Sequence, residues 1–427
     1  MKRRTFLKNS SGTLSALSLL PALNHFKTYR IALIGSGWWG MNILREAIAY
    51  GNCKVVALCD VDQTALEKAK TEVSKLINDQ PKLYEDYREL LNQEKVDIAI
   101  IGTPDHWHAL PAIAALKAGA HLYLEKPIGH TIGEGRAILN AARKYGKTVQ
   151  VGTHRRISPH NMLAMDFLRS GMVGDIHQVK CFVNYGQGAG EKIVATDPPA
   201  GLNWDRWVGP APERPYTPGI HPKGFRQYLD FANGLIGDWG IHWFDQVLWW
   251  TEEKYPKTIY STGSRYIKAD NTDAPDTQLA IYQFEDFTLE WEHKLCAPNT
   301  NEQHNVGCYF YGTKGTFHLG WLDGWTFYPR NKNAQVIHQK PSLNAPDHQN
   351  IKELWTDFIQ SIEKNRLPVC DIETGHLASN ISHLGMISYK LGRSIQWDGG
   401  KENFGNDLDA NQLIKRVYRT PWVYPSE

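Results

Sequence analysis

The type and position of Lys126 suit a catalytic role. It lies in Glu125-Lys126-Pro127, directly after the apolar run His121–Leu124, which predicts a buried strand. An ammonium group at the end of such a strand can donate a hydrogen bond to a substrate hydroxyl. It would thereby stabilise the alkoxide from which a hydride leaves. Taken alone, Lys126 is explained more simply as a surface lysine, so further residues are needed to support this role.

A second stretch, from Gly234 to Trp249, contains Asp238 and His242. On a helix these two residues share one face, because they are four positions apart. A carboxylate beside an imidazole is the usual arrangement for a proton acceptor with an orienting partner. Asp245 lies three positions further and could also hold the ring. The competing interpretation is a structural histidine satisfied within the core.

A glycine-rich turn indicates what could accept the hydride. The apolar run Ile31–Ile34 predicts a strand, Gly35, Gly37 and Gly40 follow it, and residues 41–50 have the composition of a helix. This is the dinucleotide fingerprint in its required context. Gly35 permits the tight turn, Gly37 lets the backbone approach a pyrophosphate, and Gly40 lets the helix pack closely on the strand. The N-terminus of the helix attracts the phosphates.

The next apolar run, Val55–Cys59, ends in Asp60, at the distance where an acidic group binds the adenosine ribose. Asp60 favours NAD over NADP, because a carboxylate repels a 2′-phosphate. The loop 102–108 follows a further strand, at the edge where open α/β sheets bind ligands. The residues expected to contact the cofactor are Gly35, Ser36, Gly37, Trp38, Trp39, Gly40, Asp60, Thr103, Pro104, His108, Glu125 and Lys126.

No metal site is predicted. His106 and His108 are close in sequence, but no third ligand has suitable spacing, and hydride chemistry of this kind needs no metal. We expect Trp107 and His108 to cap the following helix and to line the cofactor. The six cysteines are scattered without metal-type pairs, so we interpret them as buried thiols rather than a disulfide framework.

The alternation of apolar runs and helical segments from residue 29 to residue 153 predicts an α/β fold with a doubly wound parallel Rossmann sheet. Beyond it the strands become longer and alternate between apolar and polar residues, for example Thr258–Tyr266 and Val306–Phe317. Such alternation predicts a large mixed, mainly antiparallel sheet in a C-terminal α+β domain, residues 154–427. The Pro-, Gly- and Trp-rich segment 197–221 is expected to be a loop that shapes the site.

The first 28 residues are expected to lie outside the fold. The stretch Lys2-Arg-Arg-Thr-Phe-Leu-Lys8 closely resembles a twin-arginine export signal, and the apolar run Gly12–Leu23 is too short to span a membrane. We therefore expect an exported, periplasmic protein without a membrane anchor in its mature form. The alternative is a disordered basic tail. A net charge of +2 without a long basic run argues against a nucleic-acid partner.

The glycine fingerprint, Asp60, the Glu-Lys-Pro stretch and the pair Asp238 and His242 together resemble the Gfo/Idh/MocA oxidoreductases, over essentially the whole chain after the export segment. The resemblance implies hydride exchange between NAD(P) and a carbon that bears a sugar or cyclitol hydroxyl. It also implies a reaction centre of Lys126, Asp238 and His242, with the histidine as acid/base. In that family the C-terminal sheet covers the nicotinamide and often mediates homo-oligomers.

Several further residues are candidates for substrate binding. Arg155 and Arg156 follow the last Rossmann strand and enter the cleft between the domains, where each could bind substrate or form a structural salt bridge. Aromatic rings offer flat apolar surfaces to sugars, and the chain has 15 tryptophans. The complete substrate-binding set is Arg155, Arg156, His221, Arg226, Asp230, Trp239 and His242, with Trp204 and Trp207 as further stacking candidates.

Three functions are compatible with these patterns. The first is an exported sugar oxidoreductase that retains its NAD, since free NAD is scarce outside the cytoplasm, as in the exported glucose–fructose oxidoreductases of the family. The second is a glycosidase that uses bound NAD transiently to oxidise C3 and eliminate the glycosidic oxygen. The motif of that group departs from Gly-Ser-Gly-Trp-Trp-Gly at residues 35–40, so it ranks second. The third is a sugar-binding protein that keeps NAD as a structural part.

Overall fold

The computed structural model describes residues 27–297, 303–345 and 348–426. Residues 1–26, which contain the twin-arginine-like motif and its apolar run, lie outside the described residues. Among the helices that are described, none combines the length and the apolar character needed to cross a bilayer.

The N-terminal half contains a six-stranded sheet in the order β3-β2-β1-β4-β5-β6, in which all paired strands are parallel. The predicted doubly wound sheet is thereby confirmed. Residues 82–84 form the edge strand β3 of this sheet. The elements are β1 Tyr29–Ile34, α1 Trp38–Tyr50, β2 Cys53–Cys59, α2 Gln63–Ile77, β3 Lys82–Tyr84, α3 Tyr87–Gln93, β4 Ile98–Ile101, α4 Ala109–Lys117, β5 His121–Leu124, α5 Ile132–Lys144 and β6 Val149–Val151.

The C-terminal half contains a nine-stranded sheet in the order β14-β13-β12-β11-β7-β10-β9-β8-β15. Its paired strands are antiparallel except β7 and β10, which confirms the mixed, mainly antiparallel sheet. The elements are α6 Pro159–Arg169, β7 Ile176–Asn184, α7 Trp204–Val208, α8 Ile241–Thr251, β8 Thr258–Ser264, β9 Thr277–Gln283, β10 Thr288–Lys294, β11 Val306–Gly312, β12 Gly315–Gly320, β13 Trp325–Pro329, β14 Ile337–Gln339, α9 Ile351–Glu363, α10 Ile372–Leu391, β15 Ile395–Gln396 and α11 Leu408–Gln412.

The single strand predicted over Val306–Phe317 is in fact the hairpin of β11 and β12. Gly312 pairs with Gly315 across the turn formed by Thr313 and Lys314. The alternation changes phase at this turn, because paired residues on its two sides are an odd number of positions apart: Cys308 and Phe310 are buried on β11, whereas Phe317 and Leu319 are buried on β12. This change of phase marks the break that the prediction of a single strand missed.

Burial patterns explain why the two sheets differ. β1 and β4 are almost entirely buried, because helices cover both faces of the parallel sheet. In β10, by contrast, Leu289, Trp291 and His293 are buried while their neighbours in the strand are partly exposed. The buried face of this sheet packs against α8 and α10, and α10 also packs against α5 of the Rossmann half. The 20-residue helix α10 thus joins the two sheets.

The segment before α7 crosses the carboxyl end of β2. The backbone N–H of Gln63 donates to the carbonyl of Gly201 (2.9 Å), and that of Asn203 donates to the carbonyl of Val61 (2.9 Å). These bonds place the Pro-, Gly- and Trp-rich segment of the C-terminal half beside the strand end that bears Asp60.

Candidate functional site

A cavity of about 720 Å³ lies at the carboxyl edge of the parallel sheet, where residues of both halves meet. It brings together sixteen of the twenty residues in the predicted catalytic, cofactor-binding and substrate-binding sets. Trp107 and Trp207 also line it, whereas Gly40, Arg155, Arg156, Asp230 and Trp204 do not. The sixteen are Gly35, Ser36, Gly37, Trp38, Trp39, Asp60, Thr103, Pro104, His108, Glu125, Lys126, His221, Arg226, Asp238, Trp239 and His242.

The glycine turn has the geometry that a dinucleotide requires. Gly35 adopts φ +92°, and a Cβ there would lie 2.6 Å from backbone atoms of Gly102 and Thr103. A Cβ on Gly40 would lie 2.1 Å from the carbonyl oxygen of Gly35, so Gly40 acts through close helix packing rather than by lining the cavity. Apart from its chain neighbours, no described residue places a heavy atom within 4 Å of a Cβ position on Gly37, which leaves its backbone open to a ligand.

The neighbouring groups also fit NAD. Helix α1 begins at Trp38 with Gly37 as a cap that offers no side-chain acceptor, and its first turn has no acidic residue, so its free N–H groups suit a pyrophosphate. Asp60 accepts hydrogen bonds from the backbone N–H groups of Ser36 (2.7 Å) and Asp62 (3.0 Å). Burial raises the pKa of Asp60 to about 6, although these two bonds oppose the rise.

His221 belongs to the cofactor end of the cavity rather than to its catalytic end. Its Nε2 lies 3.1 Å from a carboxylate oxygen of Asp62, two residues after Asp60. In the same region Nζ of Lys223 lies 4.7 Å from the ring centre of the exposed Trp38. Side chains from the C-terminal half thus reach the expected adenosine-binding region.

The ring of His108 does not cap a helix, which corrects one expectation. Although it directly precedes α4, its side chain makes no capping hydrogen bond. Its Nδ1 lies 2.6 Å from the carbonyl of Pro127, and its Nε2 lies 2.8 Å from the carbonyl of Thr103. The ring thus joins the loop after β4 to the Glu-Lys-Pro stretch after β5.

Lys126, Asp238 and Arg226 form a charge cluster at the cavity. Nζ of Lys126 donates to Oδ1 of Asp238 (2.8 Å) and to its backbone carbonyl (3.1 Å), and Nε of Arg226 donates to the same Oδ1 (3.2 Å). Burial alone would raise the pKa of Asp238, but the two cations outweigh burial and hold that pKa at about 2. Asp238 is therefore an ionised carboxylate that orients the lysine.

The expected pairing of Asp238 with the His242 ring was therefore wrong. Residues 236–240 form a π-helical turn before α8, so the simple i, i+4 geometry of an α-helix does not apply between the two residues. Asp245 does not hold the ring either. Both of its carboxylate oxygens accept from Nε of Arg156 (2.8 and 2.9 Å).

His242 faces the cavity among aromatic rings. Its ring centre lies 5.0 Å from that of Trp321 and 5.5 Å from that of His154. Its Nδ1 is buried and has no hydrogen-bond partner among the described residues. Burial, reinforced by the charge of Lys126, lowers the pKa of His242 well below its ordinary value. The imidazole is therefore neutral, and one of its ring nitrogens carries no proton.

Three expected substrate contacts have structural partners instead. Arg156 is engaged by Asp245, and Asp230 forms an ion pair with Arg214 (3.2 Å). The buried Arg155 donates to the carbonyl of Gly320 (2.9 Å), and its guanidinium also packs against two tryptophan rings. Arg156 and Asp230 are thus paired with opposite charges, Arg155 is held by neutral groups, and none of the three lines the cavity, so the structure does not support the prediction that they bind substrate.

Asp105 and Trp321 are two of the lining residues that are absent from the predicted set. Asp105 follows β4 in the same loop as Thr103, so the rule that strand ends bind ligands could have identified it. Burial raises the pKa of Asp105 to about 7, against the opposing charge of Arg226. Trp321 follows β12, far from the catalytic motifs in sequence, and no local signal marks it. Its ring centre lies 4.7 Å from that of Trp239.

Comparisons with known proteins agree with this architecture. Residues 29–153 match the NAD-binding Rossmann fold of the Gfo/Idh/MocA oxidoreductase family, and residues 179–424 match its C-terminal alpha/beta domain.

Two curated relatives are glycoside hydrolases by name. A glycosyl hydrolase family 109 protein of Stenotrophomonas maltophilia is 29% identical over 238 residues, which cover 53% of this chain and 49% of the relative. An alpha-N-acetylgalactosaminidase of Shewanella oneidensis is 28% identical over 151 residues, 34% of this chain and 33% of the relative. The chain thus spans about half and about a third of the lengths of these two proteins.

Among solved structures, the WlbA dehydrogenase from Bordetella pertussis, in complex with NADH and UDP-GlcNAcA, shares the fold. It superposes with a TM-score of 0.65 at 17% identity, covering 87% of this chain and 99% of the dehydrogenase. The two family matches together extend over most of the chain and contain every residue that lines the cavity. The chain is therefore an enzyme of the Gfo/Idh/MocA oxidoreductase family, and its Rossmann domain binds NAD.

Proposed function

We propose that this enzyme oxidises a CH–OH group of a sugar or cyclitol with a tightly retained NAD. The observation that carries the proposal is the meeting of an ammonium, Lys126, and a neutral imidazole, His242, at the cavity that also contains the glycine turn. Removal of a hydride from a carbinol requires that its hydroxyl be polarised and lose a proton. The two side chains supply these two functions.

Lys126 polarises the substrate oxygen in this proposal. An ammonium has three N–H donors, and Asp238 accepts two of them through its carboxylate and its carbonyl. The third donor is then available to the hydroxyl oxygen and stabilises the negative charge that develops there. Asp238 and Arg226 are positioning residues, because they fix the ammonium rather than the substrate.

His242 takes up the hydroxyl proton as the base. Bound NAD supplies the acceptor for the hydride that leaves the carbinol carbon. Trp239 and Trp321, whose rings meet edge to face beside His242, offer the apolar surface on which a pyranose ring can stack. Trp239 and His242 remain the substrate contacts that we propose from the predicted set.

A second candidate is an NAD-dependent glycosidase, which the names of the curated relatives favour. It would use the same polarised hydroxyl and the same base, but the overall reaction would be hydrolysis without net oxidation. The two functions therefore share the cavity and differ in the fate of the oxidised sugar.

The test begins with the protein purified without added nucleotide, and mass spectrometry of the denatured sample reports retained NAD. The protein is then incubated with free sugars and with glycosides while absorbance at about 340 nm and free sugar are followed. Sugar-dependent NADH formation supports the oxidoreductase. Release of sugar without a net absorbance change supports the glycosidase. Retained NAD without turnover of either panel would leave a sugar-binding protein and refute both enzymatic proposals.

We also propose that the protein is exported through the twin-arginine pathway and works in the periplasm. The support is the motif around Arg3 and Arg4, followed by a modest apolar run. Replacing both arginines by lysine should retain the protein in the cytoplasm of a bacterial host. An unchanged periplasmic fraction would contradict the export route.

We propose, finally, that the mature protein forms a homo-oligomer through its nine-stranded sheet. Tyr260 and Ile281 are directly paired on β8 and β9, and both are large hydrophobic residues that are exposed in the single chain. Light scattering on the purified protein, with Ile281→Asp as the disrupting variant, measures the state. A monomeric native protein would refute the proposal.

A further inference from the structure

Three side chains with metal-ligating atoms converge on the second sheet, apart from the cavity already described. His304 precedes β11, His318 lies on β12, and Asp323 lies in the turn between β12 and β13. Nδ1 of His304 is 3.0 Å from Oδ2 of Asp323, and Nδ1 of His318 is 4.0 Å from the same oxygen. One ligand atom from each residue lies within 4.8 Å of the other two.

Hydrogen bonding alone does not account for this arrangement. The 3.0 Å contact of His304 is a hydrogen-bond distance, but the 4.0 Å gap to His318 is too long for one. An ion bonded to an imidazole nitrogen and a carboxylate oxygen at about 2.0–2.2 Å each bridges a gap of this size. The Nε2 atoms of both rings are buried and have no hydrogen-bond partner among the described residues.

The packing brings both rings beside the same carboxylate. The two imidazole rings stack with centres 3.6 Å apart and an interplanar angle of 12°, so one ring would rotate out of the stack to let the in-plane lone pairs of both rings meet one ion. Gly307 and Gly320, a directly paired couple on β11 and β12, leave the necessary space. A Cβ on Gly320 would lie 1.6 Å from Oδ1 of Asp323, and a Cβ on Gly307 would lie 2.4 Å from Nε2 of His318. Any larger residue at either position would displace a member of the cluster.

Burial gives the cluster one fixed side and one open side. The His318 side chain is 1% exposed, whereas that of Asp323 is 47% exposed. An ion could therefore enter from solvent on the carboxylate side and keep a water ligand there. Two imidazoles and one carboxylate with an open fourth position form a donor set that suits Zn²⁺ and related transition metals. Mg²⁺ and Ca²⁺ prefer sites made of oxygen ligands.

We propose that His304, His318 and Asp323 bind a divalent transition-metal ion of the zinc class. The ion would tie the turn 320–324 to the strand end before β11. That turn contains Trp321, whose ring lies 5.0 Å from that of His242, so the metal would support one side of the substrate cavity from outside it. The sequence did not reveal this site, because its ligands come from three different segments that meet only in the folded sheet.

The experiment uses the full-length protein, stripped with a chelator and titrated with Co²⁺ and then with Zn²⁺. We expect one equivalent of Co²⁺ per chain, with the intense visible absorption of a four-coordinate ion, and its displacement by Zn²⁺. Zn²⁺ should also raise the unfolding temperature, because it binds the folded state. A native protein that shows no stoichiometric Co²⁺ spectrum would overturn the proposal.

Three variants separate the site from adventitious binding. Asp323→Asn and His304→Gln alter partly exposed residues, so their folding is testable by circular dichroism, and each should weaken Co²⁺ binding at least about 10-fold. His177→Ala removes an exposed histidine of β7 on the same sheet and should bind as tightly as the native protein. Equal affinities for all four proteins would refute the assignment.

Discussion

Nζ of Lys126 lies 2.8 Å from Oδ1 of Asp238, and Nε of Arg226 lies 3.2 Å from the same oxygen. One ionised carboxylate thus holds two cations at the edge of the substrate cavity. His242, which was expected to share this carboxylate, instead stands as a neutral ring among aromatic neighbours. The site therefore separates a fixed positive charge from a neutral proton acceptor.

Replacing Lys126 with alanine should lower kcat/KM by roughly 10²–10⁴-fold, the usual contribution of one well-placed proton-transfer or charge-stabilising group. The reason is that no other ammonium is hydrogen-bonded to Asp238 in the described structure. His242→Ala should cause a loss of the same order, because the hydroxyl proton then has no acceptor. Both are measured as steady-state rates on whichever substrate the panels identify.

Lys95→Ala is the matched control, since its side chain is exposed and does not line the cavity. It should leave kcat/KM unchanged. If the Lys126 and Lys95 variants were equally active, the proposed role of Lys126 would be wrong.

The sequence predicted those parts of the site that local pattern determines. A strand followed by Gly35, and a strand followed by Asp60, are continuous signals, and the parallel topology then brings their ends to one edge. The partners of charged residues were not predictable in this way. Arg156 is far from Asp245 in sequence, yet it binds the carboxylate that was expected to hold the His242 ring. The π-helical turn before α8 alters the relative positions of Asp238 and His242 that an ideal helix implies. Such outcomes depend on tertiary packing, which short-range periodicity does not report.

Asp105→Asn should stabilise the protein in a pH-dependent way. Burial raises the pKa of Asp105 from 3.8 to about 7, so the folded chain binds this proton more tightly than the unfolded chain. Its contribution to stability is therefore complete below about pH 4 and is lost as pH rises towards 7. An asparagine side chain does not titrate, so the variant does not lose this stability as the pH rises. The free energy of unfolding of the variant minus that of the native protein should increase between pH 4 and 7, by about 1.4 kcal/mol per unit of pKa shift.

Urea denaturation of NAD-free protein at several pH values measures this difference. Asp166→Asn is the control, because water solvates that exposed carboxylate in both states. A difference for Asp105→Asn that stays constant between pH 4 and 8 would show that the carboxyl is not protonated in the folded protein.

Asp60→Asn should weaken the preference for NAD over NADP. The native carboxylate accepts the N–H groups of Ser36 and Asp62 and lines the cavity where the ribose is expected. Removing its charge removes the repulsion of a 2′-phosphate but also disturbs the turn, so NAD affinity should fall while the ratio of the two dissociation constants shifts at least about 10-fold towards NADP. Calorimetric titration with both nucleotides measures the ratio. Glu67→Gln, an exposed change on α2, should leave it unchanged.

The buried pair of Arg156 and Asp245 should matter for stability rather than for substrate binding. The two side chains are 10% and 1% exposed, and both carboxylate oxygens accept from the guanidinium. Asp245→Ala leaves the arginine buried without its partner, so we expect the free energy of unfolding to fall by about 3–5 kcal/mol. The double variant Arg156→Met/Asp245→Leu should recover much of that loss, because no uncompensated charge remains. Denaturation curves measure both changes, and Lys254→Ala, which breaks an exposed ion pair, is the control.

Because Arg156 does not line the cavity, KM of the folded double variant should equal that of the native enzyme. A large increase in KM without loss of stability would instead assign Arg156 to the substrate.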